Sequence, residues 1–477
     1  EETVVKSVAL EDFLNEITID EAPSAGVAAP VAAAPVQQGP VDETPSAYDE
    51  IQAPAQPDKF QDAGPDELLR ELDLAVDDDA RYAIVQKLSR LLDPTTTPTF
   101  IRLLGDQNSE IRECAVEALG NLGDSTAVRP LLRTLGVESQ NMRYLCVEAL
   151  GKVGDVEALD ALIDLLDEED DNMRYIAAEA LGRIGAERAV RPLVALAATA
   201  DKDLRYIIAK SLGQIGSVEA SSLLVRLIDD EDPEVAIQAI NAMGFIRDPD
   251  TASHLVGLLT MRSEQEQLRA VVAALGKIRS VQAVPHLIKL LNKEGEELIA
   301  EVVGALGAIG DPQAVDPVID KLTSDPSESV QLAAIDALGA LGAEEAIPPL
   351  VELLERGNQE MKIPIARSLG QMRSNKALAP LSDLLHDADV SVRQSAVAGL
   401  GDIENPQAIG RLEKLVNDPD EGVRREVAYS LGKIGTEDAI PLLITLLQDA
   451  DADVSQRSVE GLKSIGRPCV TPLTELL

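Results

Sequence analysis

Residues 155–185 read DVEALDALIDLLDEEDDNMRYIAAEALGRIG. Ala158, Leu159, Ala161, Leu162, Ile163, Leu165 and Leu166 form an apolar run with helical spacing. An acidic turn, Asp167 to Asp171, follows. A second apolar run, Met173, Ile176, Ala177, Ala180 and Leu181, ends at Gly182 and Gly185, a helix stop. Thirty-one residues later the pattern starts again. Aligned on the leucine before the first glycine, the copies fall at Leu119, Leu150, Leu181, Leu212, Met243, Leu275, Leu306, Leu338, Leu369, Leu400, Leu431 and Leu462. The spacing is 31 throughout except for 32 at 243–275 and 306–338. Leu88, 31 residues before Leu119, adds a degenerate copy without the glycine. A period this regular is the mark of a solenoid of stacked helix pairs.

The mechanics of one unit are legible. The first helix, 127–132 in one copy, buries every fourth position. A proline recurs at one phase: Pro130, Pro192, Pro285, Pro317, Pro349, Pro380, Pro441 and Pro472. Proline inside a helix costs about 3 kcal/mol or more, so this phase is expected to be a kink or a helix start. The acidic loop is expected to cap the second helix, whose exposed N–H groups favour Asp and Glu. Gly120 is expected to allow close helix approach, and Gly123 to end the helix in a left-handed residue. Pro364 falls early in a second helix, where a shifted start or a bend is expected.

Residues 111–124, Ile-Arg-Glu-Cys-Ala-Val-Glu-Ala-Leu-Gly-Asn-Leu-Gly-Asp, followed by Ala127-Val128, carry a recognisable motif. The chain resembles the HEAT-repeat family, most closely the short 31-residue subclass of phycobilisome lyase-like proteins. The resemblance covers residues 66–477. It implies an all-α, right-handed superhelical solenoid of about 13 HEAT-like helix pairs whose second helices line a concave groove. It also implies an internal ladder pairing Arg112, Arg143, Arg174, Arg205, Arg269, Arg393 and Arg424 with residues such as Asp124, Asp155 and Asp311. Ala236, Ile299, Gln331 and Ser455 interrupt it.

Composition limits function. Formal net charge is −41, from 42 basic and 83 acidic residues, and aromatics make up 2%. Such a chain repels phosphate backbones, so no nucleic acid is expected, and a basic protein surface suits it better. Three cysteines, Cys114, Cys146 and Cys469, have no ligand spacing and point to a reducing, cytoplasmic setting. No stretch approaches the roughly 18 apolar residues of a membrane span. A chain that opens on Glu1 leaves a removed leader open.

The expected organisation has three parts. Residues 1–20 form a short amphipathic docking helix presenting Val5, Val8, Phe13, Leu14 and Ile17. Residues 21–64, rich in Pro and Ala, form a disordered linker. Residues 65–477 form the solenoid, with Asp66 expected as its first N-cap. At the other end Val470, Leu473, Leu476 and Leu477 form an apolar stripe with no following helix, which leaves an end-to-end self-contact open.

Four of the six tyrosines share one phase, each after an arginine: Tyr82, Tyr144, Tyr175 and Tyr206. Glu148 and Glu179 stand four residues after two of them, and Glu117 holds the same phase as these. All lie off the Met142–Cys146–Leu150 core stripe. A Tyr column beside a Glu column reads as a partner-binding surface; packing between adjacent repeats is the other reading. The acidic turns lack Ca²⁺-loop spacing and read as helix caps. His254, His286 and His386 form no metal or catalytic motif, and no base stands near a cysteine. No catalytic residue, metal or cofactor is expected. The chain reads as a non-enzymatic scaffold or adaptor that binds a protein in its groove. Two alternatives are a bilin lyase or isomerase acting on phycobiliproteins, implied by the resemblance, and a regulatory subunit of a prokaryotic signalling assembly.

Overall fold

The computed structural model describes residues 63–474, less 138, 262, 263, 294 and 357. The expected docking helix and the linker through residue 62 lie outside the described residues. The described helices fall into two compact units, divided between Leu91 and Leu92.

The first unit is one helix pair, Pro65–Leu74 and Asp78–Leu91. Gly64, not Asp66, is its N-cap. Pro65 takes the first helical position, where its missing N–H costs nothing, and Asp66 falls in the first turn. Leu68 and Leu72 of one helix and Ile84, Val85 and Leu88 of the other are buried.

The second unit holds twelve helix pairs between Pro94 and Ile465, then one further first helix, Val470–Thr474. With the pair before it, this matches the expected thirteen. Among the described residues there is no strand.

Each pair is built the same way. In one copy Asp124 accepts the Thr126 N–H at 2.9 Å and opens a 3-10 turn, Ser125–Ala127, which runs into the helix Val128–Leu135. Pro130 therefore sits in the first turn of an α-helix, where a backbone N–H would have no intrahelical acceptor and its absence costs nothing. The recurring proline is a helix start, not a kink. Pro364 differs: it lies inside Gln359–Gln371, whose start is set by the Asn358 side chain accepting the Glu360 N–H at 3.1 Å. That helix start is not shifted.

The acidic turns cap the second helices as their composition predicts. Asp170 accepts the N–H groups of Asn172 and Met173 at the head of Asp171–Ile184. Gly185, at φ 70°, closes that helix in the left-handed region.

Successive second helices lie almost backbone to backbone. A Cβ placed on Gly120 would stand 2.9 Å from the Ala149 Cα, and one on Gly151 2.7 Å from that of Ala180. The glycine after the leucine is thus required by the neighbouring repeat. Between these contacts Leu131, Met142, Cys146 and Leu150 are fully buried. A buried Leu or Met contributes about 1.5–3 kcal/mol, and only a stacked neighbour can cover the stripe.

The arginine ladder exists, with different partners. Arg205 donates to both Asp230 oxygens at 2.7 and 2.8 Å. Arg393 does the same to Asp418 at 3.0 and 2.9 Å, and Arg424 to Asp449 at 2.7 and 2.9 Å. Arg143 reaches Glu168 and Lys362 reaches Asp387 in the same register. The acid is always 25 residues on, at the end of the next first helix. Asp124, Asp155 and Asp311 are instead spent on capping their own 3-10 turns. Arg174 has Thr199 at that distance and turns back to Asp171. Arg269 is not a rung: the 32-residue spacing puts Leu268, which is buried, at the ladder phase. Arg269 pairs with Glu297 and Glu301 instead.

In the last helix Leu473 is buried and Val470 half-buried; Leu476 and Leu477 lie outside the described residues.

Candidate protein-binding face

Each second helix uses two stripes for stacking and leaves a third uncovered. In Gln140–Val153 the uncovered positions are Tyr144, Glu148 and Lys152, spaced by four. In Asp171–Ile184 they are Tyr175, Glu179 and Arg183, and in Lys202–Ile215 they are Tyr206 and Lys210. Glu117 holds the Glu148 phase one repeat earlier. The helices of Glu117, Tyr144, Tyr175 and Tyr206 are consecutive, so these residues share one face of the second unit. Tyr82, half-buried in Asp78–Leu91, belongs to the first unit.

The two inner tyrosines are already engaged. The Tyr144 hydroxyl donates to Asp170 Oδ2 at 2.5 Å, and Gln140 Nε2 donates to the same oxygen at 2.5 Å. The Tyr175 hydroxyl donates to Asp201 Oδ2 at 2.5 Å. Asp170 and Asp201 are the N-caps of the next second helices, so each phenol fastens one repeat to the helix start of the next. The hydrogen bond to Asp201, assisted by burial and nearby carboxylates, pushes the Tyr175 phenol up to about 12. The same bonds hold the Asp170 and Asp201 carboxyls below the usual carboxylate range. Both rings are half-buried.

Tyr206 differs. Its ring is 38% exposed, and its hydroxyl makes no hydrogen bond among the described residues. Asp232, which stands where its partner would be, is approached by Lys202 at 3.5 Å.

The glutamates also divide. Glu117 and Glu148 are exposed, Glu148 beside Lys152 at 3.0 Å. Glu179 is half-buried between Arg183 and the Lys210 Nζ, which stands at 3.0 Å. Burial alone would raise the Glu179 carboxyl; the Lys210 and Arg183 charges outweigh it and hold it low.

Two exposed aromatics on the same side went unnoticed in the sequence, Phe245 and Tyr429. They hold the Lys152 and Glu148 phases respectively, so the repeat alignment carried the signal. Lys277 Nζ lies 4.1 Å from the Phe245 ring centroid, and the Arg457 guanidinium 5.6 Å from that of Tyr429. Among the described residues no group of His, Cys, Asp and Glu side chains could hold a metal ion.

Residues 65–139, 129–205, 192–269, 262–320, 315–398 and 379–463 match the family model described as HEAT repeats. The chain belongs to the HEAT-repeat family. No curated protein matches it. Among solved structures, importin beta in a polyethylene glycol condition aligns over 85% of this chain and 69% of its own, at 14% identity and a TM-score of 0.56. Importin beta in an ammonium sulfate condition aligns over 84% and 66%, at 13% identity and a TM-score of 0.55. Kap95p, from a structure with RanGDP, aligns over 87% and 69%, at 14% identity and a TM-score of 0.51. At these identities the likeness is one of fold.

Proposed function

We propose that this HEAT-repeat chain is a non-enzymatic scaffold that holds a protein partner against the uncovered face of its second helices. The face carrying Glu117, Glu148 and Tyr206 is the main contact, and a basic segment of the partner is its ligand. One observation carries the reading: of four consecutive second helices, the first two leave Glu117 and Glu148 exposed and the fourth leaves the Tyr206 ring exposed, at neighbouring phases. The stacking does not need them there. A chain of net charge −41 adds long-range attraction for a basic surface. In Tyr144 and Tyr175 the hydroxyls serve the stack, so only their ring faces remain for a partner.

Residues 1–20 act in this reading as a tethered docking peptide. The setting is cytoplasmic, in keeping with three buried cysteines, none in a disulfide. No described helix is long and apolar enough to cross a membrane.

The test uses the partner recovered by affinity purification from the native source. Titration calorimetry then compares the parent with a Glu117→Lys, Glu148→Lys, Tyr206→Ala chain. Affinity is expected to fall by roughly 2 kcal/mol or more, with helicity unchanged. Equal affinity in the two chains would place the partner elsewhere.

A further inference from the structure

Three of the open clefts on the second unit differ in how their cations are partnered. At two of them every cation is matched. Arg188 pairs with Asp160 and Arg191 with Glu219 in one. In the other, Arg457 pairs with Glu460 and Lys433 with Asp402. The third, of about 400 Å³, has Arg247, Lys277 and Arg279 on its wall. Among the described residues none of these three forms an ion pair. The acid on that wall, Glu301, is taken by Arg269 at 3.1 Å.

Two further features set this cleft apart. Arg247 and Arg279 stand at the helix-ending position that Gly123, Gly154, Gly185 and Gly216 hold elsewhere, and both adopt left-handed backbone, at φ 57° and 58°. That conformation is costly for a residue with a Cβ. Leu92, Arg373 and Glu404 adopt it at the same phase, but Arg373 pairs with Glu404, whereas here two adjacent repeats place arginines that form no ion pair among the described residues. The floor is also stripped. Ala273, Gly304 and Ala308 occupy phases at which the N-terminal repeats carry charged or amide side chains. Gly304 has no packing reason to be glycine: a Cβ there meets nothing within 4 Å, whereas one on Gly307 would stand 2.6 Å from the Ala337 Cα. A mid-helix glycine without a packing role weakens its helix. Here it keeps the cleft open.

We infer that this cleft binds an acidic peptide segment of a partner protein, one in which a carboxylate neighbours an apolar side chain. The two guanidiniums offer planar forks that match a carboxylate. Lys277 adds a third charge, held over the Phe245 ring. The floor of Ala and Gly accepts an apolar side chain or the peptide backbone. A nucleic acid fits less well, because three cations set in a chain of net charge −41 cannot offset the repulsion of a polyanion. The inference is independent of the Glu117–Tyr206 face, which is expected to take a basic segment.

The test is selection of a random peptide library on the full chain, with a labelled oligothymidylate as a second probe. Selected peptides are expected to carry Asp or Glu beside an apolar residue. A synthetic peptide of that consensus should bind the Gly304→Glu chain at least roughly tenfold more weakly. An Arg247→Gly, Arg279→Gly chain should lose the peptide equally while melting no lower than the parent, which separates binding from folding. The inference is overturned if no peptide is enriched or if the consensus lacks acids. Undiminished binding to Gly304→Glu, or saturable binding of the oligothymidylate at this cleft, would overturn it as well.

Discussion

Single residues in this chain are set by backbone position before chemistry. Gly154 and Arg247 hold the same place in their repeats, and both are left-handed, at φ 73° and 57°. Only the arginine is strained. Replacing Arg247 or Arg279 by glycine is therefore expected to stabilise the repeat by about 1 kcal/mol each. Local hydrogen exchange at the ends of Pro233–Ile246 and Gln265–Ile278 measures this. Slower exchange supports the strain, and faster exchange would mean that the side chains contribute more than the backbone loses. Tyr175 makes a second prediction. Its phenol, pushed up to about 12, keeps its proton in the folded chain after it has ionised in the unfolded one, near 10. Its contribution to stability is complete below pH 10 and drains away as pH rises through 12. Tyrosinate absorbance should show a late-ionising ring that disappears in Tyr175→Phe.

At the scale of helices, close stacking reverses the usual propensities. In an isolated helix Gly→Ala would stabilise by up to about 1 kcal/mol. At Gly151 the new Cβ would meet the Ala180 Cα at 2.7 Å, and the obstacle is backbone, not a movable side chain. Gly151→Ala should therefore cost about 3 kcal/mol in the two repeats it joins, read by denaturant melts with exchange mapping. Gly304→Ala, with nothing to meet, should stabilise. If both substitutions moved stability the same way, contact between second helices would not be what selects glycine. The ladder acts at this scale too. Hydrogen bonds from Arg205 and Arg424 hold the Asp230 and Asp449 carboxyls low. Groups with depressed folded values contribute stability above their unfolded pKa, near 4, and lose it as pH falls through the folded value. Helicity is expected to fall on acidification below about pH 4, with a shallower acid limb in Asp230→Asn.

For the whole molecule the controlling quantity is charge. With 83 acids to 42 bases, pairing every base would still leave about half the acids without a partner. Cross-repeat pairs such as Arg129–Glu157 at 2.6 Å and Arg191–Glu219 at 3.2 Å are exposed and contribute little. Self-repulsion among the excess carboxylates outweighs them, and salt screens that repulsion. Melting temperature should rise with sodium chloride up to several tenths molar. A fall would mean that the exposed pairs outweigh the repulsion.

The period, the helix pairs and the acidic caps were legible in the sequence, because the residues that set them recur at fixed phase. The recurring proline left kink and helix start open, and the 3-10 turn that precedes it decided for the start. The need for Gly120 was legible too, since its phase holds glycine in every copy from Gly120 to Gly432. What the sequence left open are relations between repeats. The ladder acids lie 25 residues from their arginines, and nothing local distinguishes Asp230 from Asp248; only the register of stacking brings one of them to Arg205. Arg269 shares the motif's appearance, yet one extra residue turns it about 100° around its helix, out of the ladder and onto the open face. The tyrosine phase could be read, but not that Tyr144 and Tyr175 meet an N-cap carboxylate while Tyr206 meets none. The cleft with Arg247, Lys277 and Arg279 on its wall exists only where three consecutive second helices lie side by side. Local pattern determined the repeat; the distances between repeats, set by how closely glycine lets their backbones approach, decided which side chains meet.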